Sequence, residues 1–215
     1  MTAIDADAHS VRTEPPAAET AAPAVTGDPS LIGLPSFIVG SVALGLVLVG
    51  YVPAAAVGAS LPIIVAATGL GLAIAAVWSA AVGQSAVAGV FGIFAGFWLS
   101  YGMLVLGLTH NWFGIVAADA LHTQALYLIS WLVVIGMLTL ATLRLPTAYS
   151  VLFALIEIAL VLVLIGTLQQ SAGVLKVAGV VVFVFAAVGI YLFFNSASQA
   201  TGGKALPLGQ PLVRD

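Results

Sequence analysis

Six stretches of about twenty mostly apolar residues follow one another along this chain, and this repetition limits its fold more than any motif does. They fall at about 35–52, 59–79, 86–108, 121–143, 147–168 and 174–194. About twenty apolar residues in a helix cross the hydrocarbon core of a bilayer. With 62% of residues hydrophobic and 6% charged, the chain has no charged coat for a water-soluble fold. The expected fold class is an all-α membrane protein with six transmembrane helices.

Between the stretches lie YVPAAAVGAS, AAVGQSA, THNWFGIVAAD, RLPT and LQQSAG, which carry Pro, Gly and polar punctuation. Most of these connections are short, so successive helices are expected as antiparallel neighbours. Six spans leave both termini on one side. That side holds Arg12, Arg144, Lys204 and Arg214, and the other holds only Lys176. The positive-inside rule then puts both termini in the cytoplasm, and the expected location is the cytoplasmic (inner) membrane of a prokaryote.

Residues 1–28 hold five of the eight acids together with many Ala, Pro and Thr. They contain no apolar signal-peptide core and read as a disordered tail. Residues 29–200 form the membrane domain, and 201–215 a second tail. The absence of cysteine removes disulfides and thiolate metal sites. Basic residues do not cluster, so nucleic acid is not an expected partner. There is no nucleotide loop, no metal-ligand cluster, and no nucleophile with a positioned base, so no catalytic residue, metal or cofactor is expected. His110, Asn111, Asp119 and His122 bracket the longest loop. Two His twelve residues apart with one Asp read as a wet loop rather than a metal site or proton antenna.

Small residues form stripes: Ala67, Gly71, Ala75 and Ser79 in the second span, and Gly89, Gly92 and Gly96 in the third. Such stripes let helix backbones approach closely in lipid. Trp98, Trp112 and Trp131 read as interface anchors or packing groups, and Tyr191 and Asn195 as interfacial groups.

Within VLFALIEIALVLVLIG, residues 151–166, the one residue that is neither apolar nor glycine is Glu157. A carboxylate at mid-span costs about 3 kcal/mol on insertion scales, so the neutral acid is the form expected much of the time. Two readings stand. In one, Glu157 faces a pathway and exchanges the proton that travels with a solute. In the other, it hydrogen-bonds across helices and holds the bundle together. No Lys or Arg lies at mid-span, so an anion in transit would find only hydroxyls, backbone N–H groups and helix N-termini.

Three separated motifs align in order. GDPSLIGLPSF (27–37) leads into the first span, FAGFWLS (94–100) lies in the third, and GGKALPLG (202–209) follows the sixth. Together they resemble the acetate uptake transporter family, the bacterial succinate–acetate permeases and fungal acetate transporters. The family's N-P-A-P-L-G-L entry motif is matched by Pro29, Gly33 and Leu34, with Asp28 in place of Asn and Leu31 in place of the second Pro. Of the third-helix Y-G-S-F-W-L-T the core Phe97, Trp98 and Leu99 matches, with Phe94 in place of Tyr and Ala95, Gly96 and Ser100 at the other positions. The tail's L-P-[IL]-G is matched at Leu206–Gly209.

The resemblance implies a six-helix pore in each protomer, a hexameric homo-oligomer, and proton-linked passage of acetate or a similar short monocarboxylic acid. It implies a constriction at Phe37, Phe94 and Ile156, Ile standing for the family's Leu. Asp28, Pro29, Gly33 and Leu34 would form the cytoplasmic mouth. Glu157, a position not usually acidic in the family, is a proton-exchange candidate beside the gate on its own chemistry and not through the resemblance. Phe94 cannot donate the hydrogen bond of a Tyr, so the gate should be less polar. Two alternatives stay open: a passive channel for small neutral solutes such as urea, ammonia or water, and a non-transporting membrane sensor or assembly protein.

Overall fold

The computed structural model describes residues 25–213, so most of the proposed 1–28 tail lies outside the described residues. Six helices long and apolar enough to cross a membrane account for most of what is described, and no strand occurs among the described residues. The chain is a multi-pass membrane protein. The helices are α1 (Ser30–Val49), α2 (Leu70–Ala81), α3 (Ser85–His110), α4 (Ala120–Ala141), α5 (Thr147–Leu168) and α6 (Ala172–Ala200).

Helix α1 begins at Ser30 rather than near residue 35, because the carbonyls of Asp28 and Pro29 already accept from Leu31 and Gly33. Pro35 therefore sits inside the helix, where it removes one N–H from the ladder. Helix α6 continues past residue 194 through Asn195, Ser196, Ser198 and Gln199. Polar side chains do not end a helix; the Gly202–Gly203 pair that follows cannot sustain one.

The second span is the irregular one. A 3-10 stretch (Ala54–Ser60) and a π segment (Ile63–Gly69) precede α2. The π turn inserts an extra residue and shifts the helical register. As a result Ala67 is exposed, while Thr68 is fully buried against Gly40 of α1. The small-residue stripe expected from Ala67 onward thus begins at Gly71 and continues through buried Ala75 and Ser79. In the third span, Gly92 faces Ala76, Gly96 faces Trp131, and Gly89 faces open space.

Helix α1 packs on α6, α6 on α5, α5 on α4, and α2 on α3. The buried aromatic centre lies among α1, α3, α5 and α6. One end of the bundle carries the starts of α1, α3 and α5 and the end of α6. The tail after α6 is tied there: Ala148 N donates to Leu208 O at 2.9 Å, and Leu212 N and Val213 N both donate to Leu143 O at 3.0 Å. Tyr191 and Asn195, expected as interfacial groups, instead hold this tail. The Tyr191 hydroxyl donates to Pro207 O at 2.8 Å, and Asn195 Oδ1 accepts from Leu206 N at 2.9 Å.

Candidate functional site

Two cavities lie in tandem within the bundle. The larger, about 220 Å³, opens among Ser30 and Leu34 of α1, Ala86 and Val87 of α3, and Leu145 and Tyr149 around the start of α5. The smaller, about 30 Å³, lies deeper, between Leu44, Phe97, Trp98, Leu160, Val163 and Val182. Three residues line both: Phe37, Phe94 and Ile156. The two spaces meet at these side chains, each 5–6% exposed.

The rings interlock there. Phe37 and Phe94 meet edge to face, with centroids 5.3 Å apart and planes at 72°. Phe153 flanks Phe94 at 5.8 Å, and Phe185 flanks Phe37 at 5.7 Å. Aromatic rings favour edge-to-face and tilted contacts at these distances because the positive edge of one meets the negative face of the other. Each of four helices supplies one Phe, so the partition rests on the whole bundle rather than on one element. Among the described residues, no Lys, Arg, Asp, Glu or His lines either cavity.

The entry motif shapes the wider cavity. Leu34 lines it, and Pro29 is fully buried behind it. A Cβ at Gly33 would lie 2.3 Å from the ring of Phe91, so only Gly lets Phe91 press against α1. Asp28 Oδ1 accepts the backbone N–H of Ser30 at 2.9 Å.

Glu157 is not among the residues lining either cavity. A Cβ at Gly136 of α4 would lie 3.5 Å from its Oε1, and its buried Oε2 has no hydrogen-bond partner among the described residues. Glu157 thus lies next to Ile156 in sequence but faces α4 rather than either cavity. One residue beyond Ile156 is about 100° further around the helix, and that turn carries the carboxyl to the α4–α5 contact. Its neighbour on the cavity side is Phe153, one turn before Ile156 on the same face.

Phe153 and Phe185 are the residues that the sequence did not single out. Phe153 shares a face with Ile156, a signal that was available. Phe185 sits in an α6 apolar all the way round, which gives no face to choose. Other polar groups serve packing: Ser100 Oγ donates to Gly96 O at 2.6 Å, and the Tyr127 hydroxyl joins α4 to Phe97 O at 2.7 Å. In the long loop His110 stacks on Trp112, and no three His, Asp or Glu groups among the described residues lie close enough to share a metal.

Comparison with known proteins bears on this geometry. Accumulation of dyads protein 2 of Saccharomyces cerevisiae is 28% identical over 149 residues, which is 66% of this chain and 50% of the yeast protein. The chain thus spans about half the length of that relative. The solved structure of the bacterial acetate channel SatP superposes with a TM-score of 0.75 over 86% of this chain and 99% of that one, at 23% identity. At that identity the likeness shows the fold alone. The model of the GPR1/FUN34/yaaH family matches residues 11–203, nearly the whole chain, with the first two motifs whole and only Gly202 and Gly203 of the third, and the chain belongs to that family.

Proposed function

We propose that this protein passes acetate or a similar short monocarboxylic acid across a membrane. The observation that carries this reading is the pair of cavities divided by Phe37, Phe94 and Ile156, with apolar walls and no cation. Such a passage suits a small solute that sheds its charge before the constriction. The acid then travels with its own proton, and transport is proton-linked without a fixed relay. The place of Glu157 against α4 supports this form of linkage over exchange at Glu157 itself. The bacterial protein of similar fold, SatP, is a channel for acetate, a solute of the class assigned to this passage.

The apolar lining also suits the second reading, a passive channel for small neutral solutes. The solid packing that a sensor or assembly protein would favour is not what the cavities support. Positive residues support both termini in the cytoplasm: Arg144 and Lys204 share the tail-bearing end, and Lys176 lies near the start of α6 at the other. Helix α4 supports a homo-oligomer, hexameric by resemblance, within the lipid bilayer. It is the least covered helix, with 17% of its central window buried against 33–39% for the others, and Leu126, Ile129, Val133, Met137 and Leu140 form an exposed stripe along it.

The test is uptake of labelled acetate into proteoliposomes, with lactate, succinate and urea as competitors, with and without a pH step. Acetate uptake that follows the imposed proton gradient supports the proposal. Uptake that ignores the gradient and prefers urea transfers the passage to neutral solutes. No uptake of either overturns both.

A further inference from the structure

The wall of the smaller cavity includes a hydrogen-bond donor that the chain does not satisfy. Trp98 lines this cavity and is 2% exposed. Its Nε1 is enclosed and has no hydrogen-bond partner among the described residues. Among the described residues of that lining, Trp98 alone has a polar atom in its side chain; the rest are hydrocarbon. The ring is fixed in place. Phe97 meets it edge to face at 5.2 Å and 89°, and Tyr101 at 6.4 Å and 85°.

An indole N–H donates and cannot accept. A donor left buried and unpaired costs its full desolvation, so buried donors find partners in the chain, in water or in a ligand. Bulk solvent does not reach a ring this enclosed, and the space that the ring lines is the smaller cavity. At about 30 Å³ it holds about two water-sized groups, the size of a carboxyl head. Trp98 stands one helical turn from Phe94, about 6 Å further along α3 and on the same face. A solute that has crossed the partition therefore arrives beside this ring. We propose that Trp98 Nε1 is the solute-binding donor of the smaller cavity, donating to the carbonyl oxygen of the neutral acid. This rests on the monocarboxylate reading above. One neutral donor does not offset the burial of a carboxylate, so the site serves the protonated form.

The test reads the indole itself, in the full chain. With isotope-labelled tryptophan, each of the four indole N–H groups gives its own nuclear magnetic resonance signal. Trp98→benzothienylalanine keeps the bicyclic ring and replaces the N–H by sulfur, so the signal it removes is that of Trp98. Trp78, whose Nε1 already donates to Thr26 O at 3.2 Å, is the internal control. Titration with acetate at about pH 5, near the pKa of an ordinary carboxyl, should move the Trp98 signal saturably and leave Trp78 in place. Sodium chloride at matched ionic strength should move neither. In proteoliposomes the benzothienylalanine variant should need about two- to ten-fold more acetate for half-maximal uptake, the effect of one hydrogen bond, at an unchanged Tm.

A Trp98 signal that acetate leaves in place overturns the proposal, whatever the protein carries, since water alone then satisfies the N–H. Unchanged half-saturation in the variant also overturns it, because transport then makes no use of the hydrogen bond. A signal that moves with acetate in a protein that transports none keeps the binding donor and removes the transport reading.

Discussion

Phe94→Ala tests whether the aromatic partition sets the size of what passes. Phe94 is 5% exposed and touches Phe37, Phe97 and Phe153 at centroid distances of 5.3, 6.4 and 5.8 Å. Truncation removes the ring that is central to those contacts and joins a 220 Å³ space to a 30 Å³ one. Burying a single extra methylene in a fitted pocket changes discrimination by about 1–3 kcal/mol, or roughly 10–200-fold. If the partition provides the fit, the wild-type preference for acetate over butyrate, which has two further methylenes, should fall by at least about ten-fold. The assay is paired uptake of labelled acetate and butyrate into proteoliposomes. Loss of a buried Phe also costs about 3–5 kcal/mol of stability, so thermal unfolding in detergent establishes how much folded protein each rate represents. Val163→Ala, which trims the smaller cavity away from the shared wall, should leave the ratio within about two-fold on the same scale of discrimination. Folded Phe94→Ala protein with an unchanged ratio would refute the reasoning.

Three further outcomes follow from the packing. Gly40→Ala puts a Cβ 2.3 Å from Thr68 Oγ1, which overpacks the contact of α1 with the π segment; it should lower stability by about 1–3 kcal/mol, read as a lower Tm. Glu157→Gln should leave the pH dependence of acetate uptake unchanged, since the carboxyl meets Gly136 rather than a cavity; a shifted pH profile would return the proton to Glu157. Asn195→Ala leaves the Leu206 N–H without its acceptor at a cost of about 1–3 kcal/mol; hydrogen exchange over 203–213 should accelerate while α1 stays protected.

What the sequence made legible follows from the physics of each signal. Apolar length is a strong signal, so six spans could be counted, and the Thr147–Leu168 helix matches its expected bounds to the residue. Helix orientation is a weak one. In lipid every face can be apolar, so hydrophobicity does not tell inside from outside, and Glu157 and Ile156 could not be assigned to different faces from pattern alone. The π segment carries no composition signature, so the shift from Ala67 to Thr68 had no warning. Phe37, Phe94 and Ile156 were reached through motif resemblance, which carries three-dimensional information that composition lacks. Asn195 and Tyr191 looked like interfacial groups because polarity near a helix end has two uses, facing headgroups or binding a returning tail.

Magnitudes decide between an ionised and a neutral solute at the partition. Protonating a carboxyl of ordinary pKa, about 4.3, at pH 7 costs about 3.7 kcal/mol, at about 1.36 kcal/mol for each unit. Taking the carboxylate out of water into apolar surroundings costs several kcal/mol after relaxation and about 20 in the idealised limit. A fixed cation could reverse that order, but among the described residues neither cavity has one in its lining. Hydroxyl donors could reduce it, yet where the family has a Tyr this chain has Phe94, whose ring offers none. The proton is therefore the less costly companion. The flux should fall with rising pH as the neutral fraction falls, close to ten-fold per unit above the pKa of the acid. Flux measured from pH 6 to 8 at fixed total acetate gives this slope directly. A flat profile, in vesicles whose lipid leak has been subtracted, would mean that the ionised form crosses, and that the backbone dipoles around Phe37, Phe94 and Ile156 stabilise it more than burial costs.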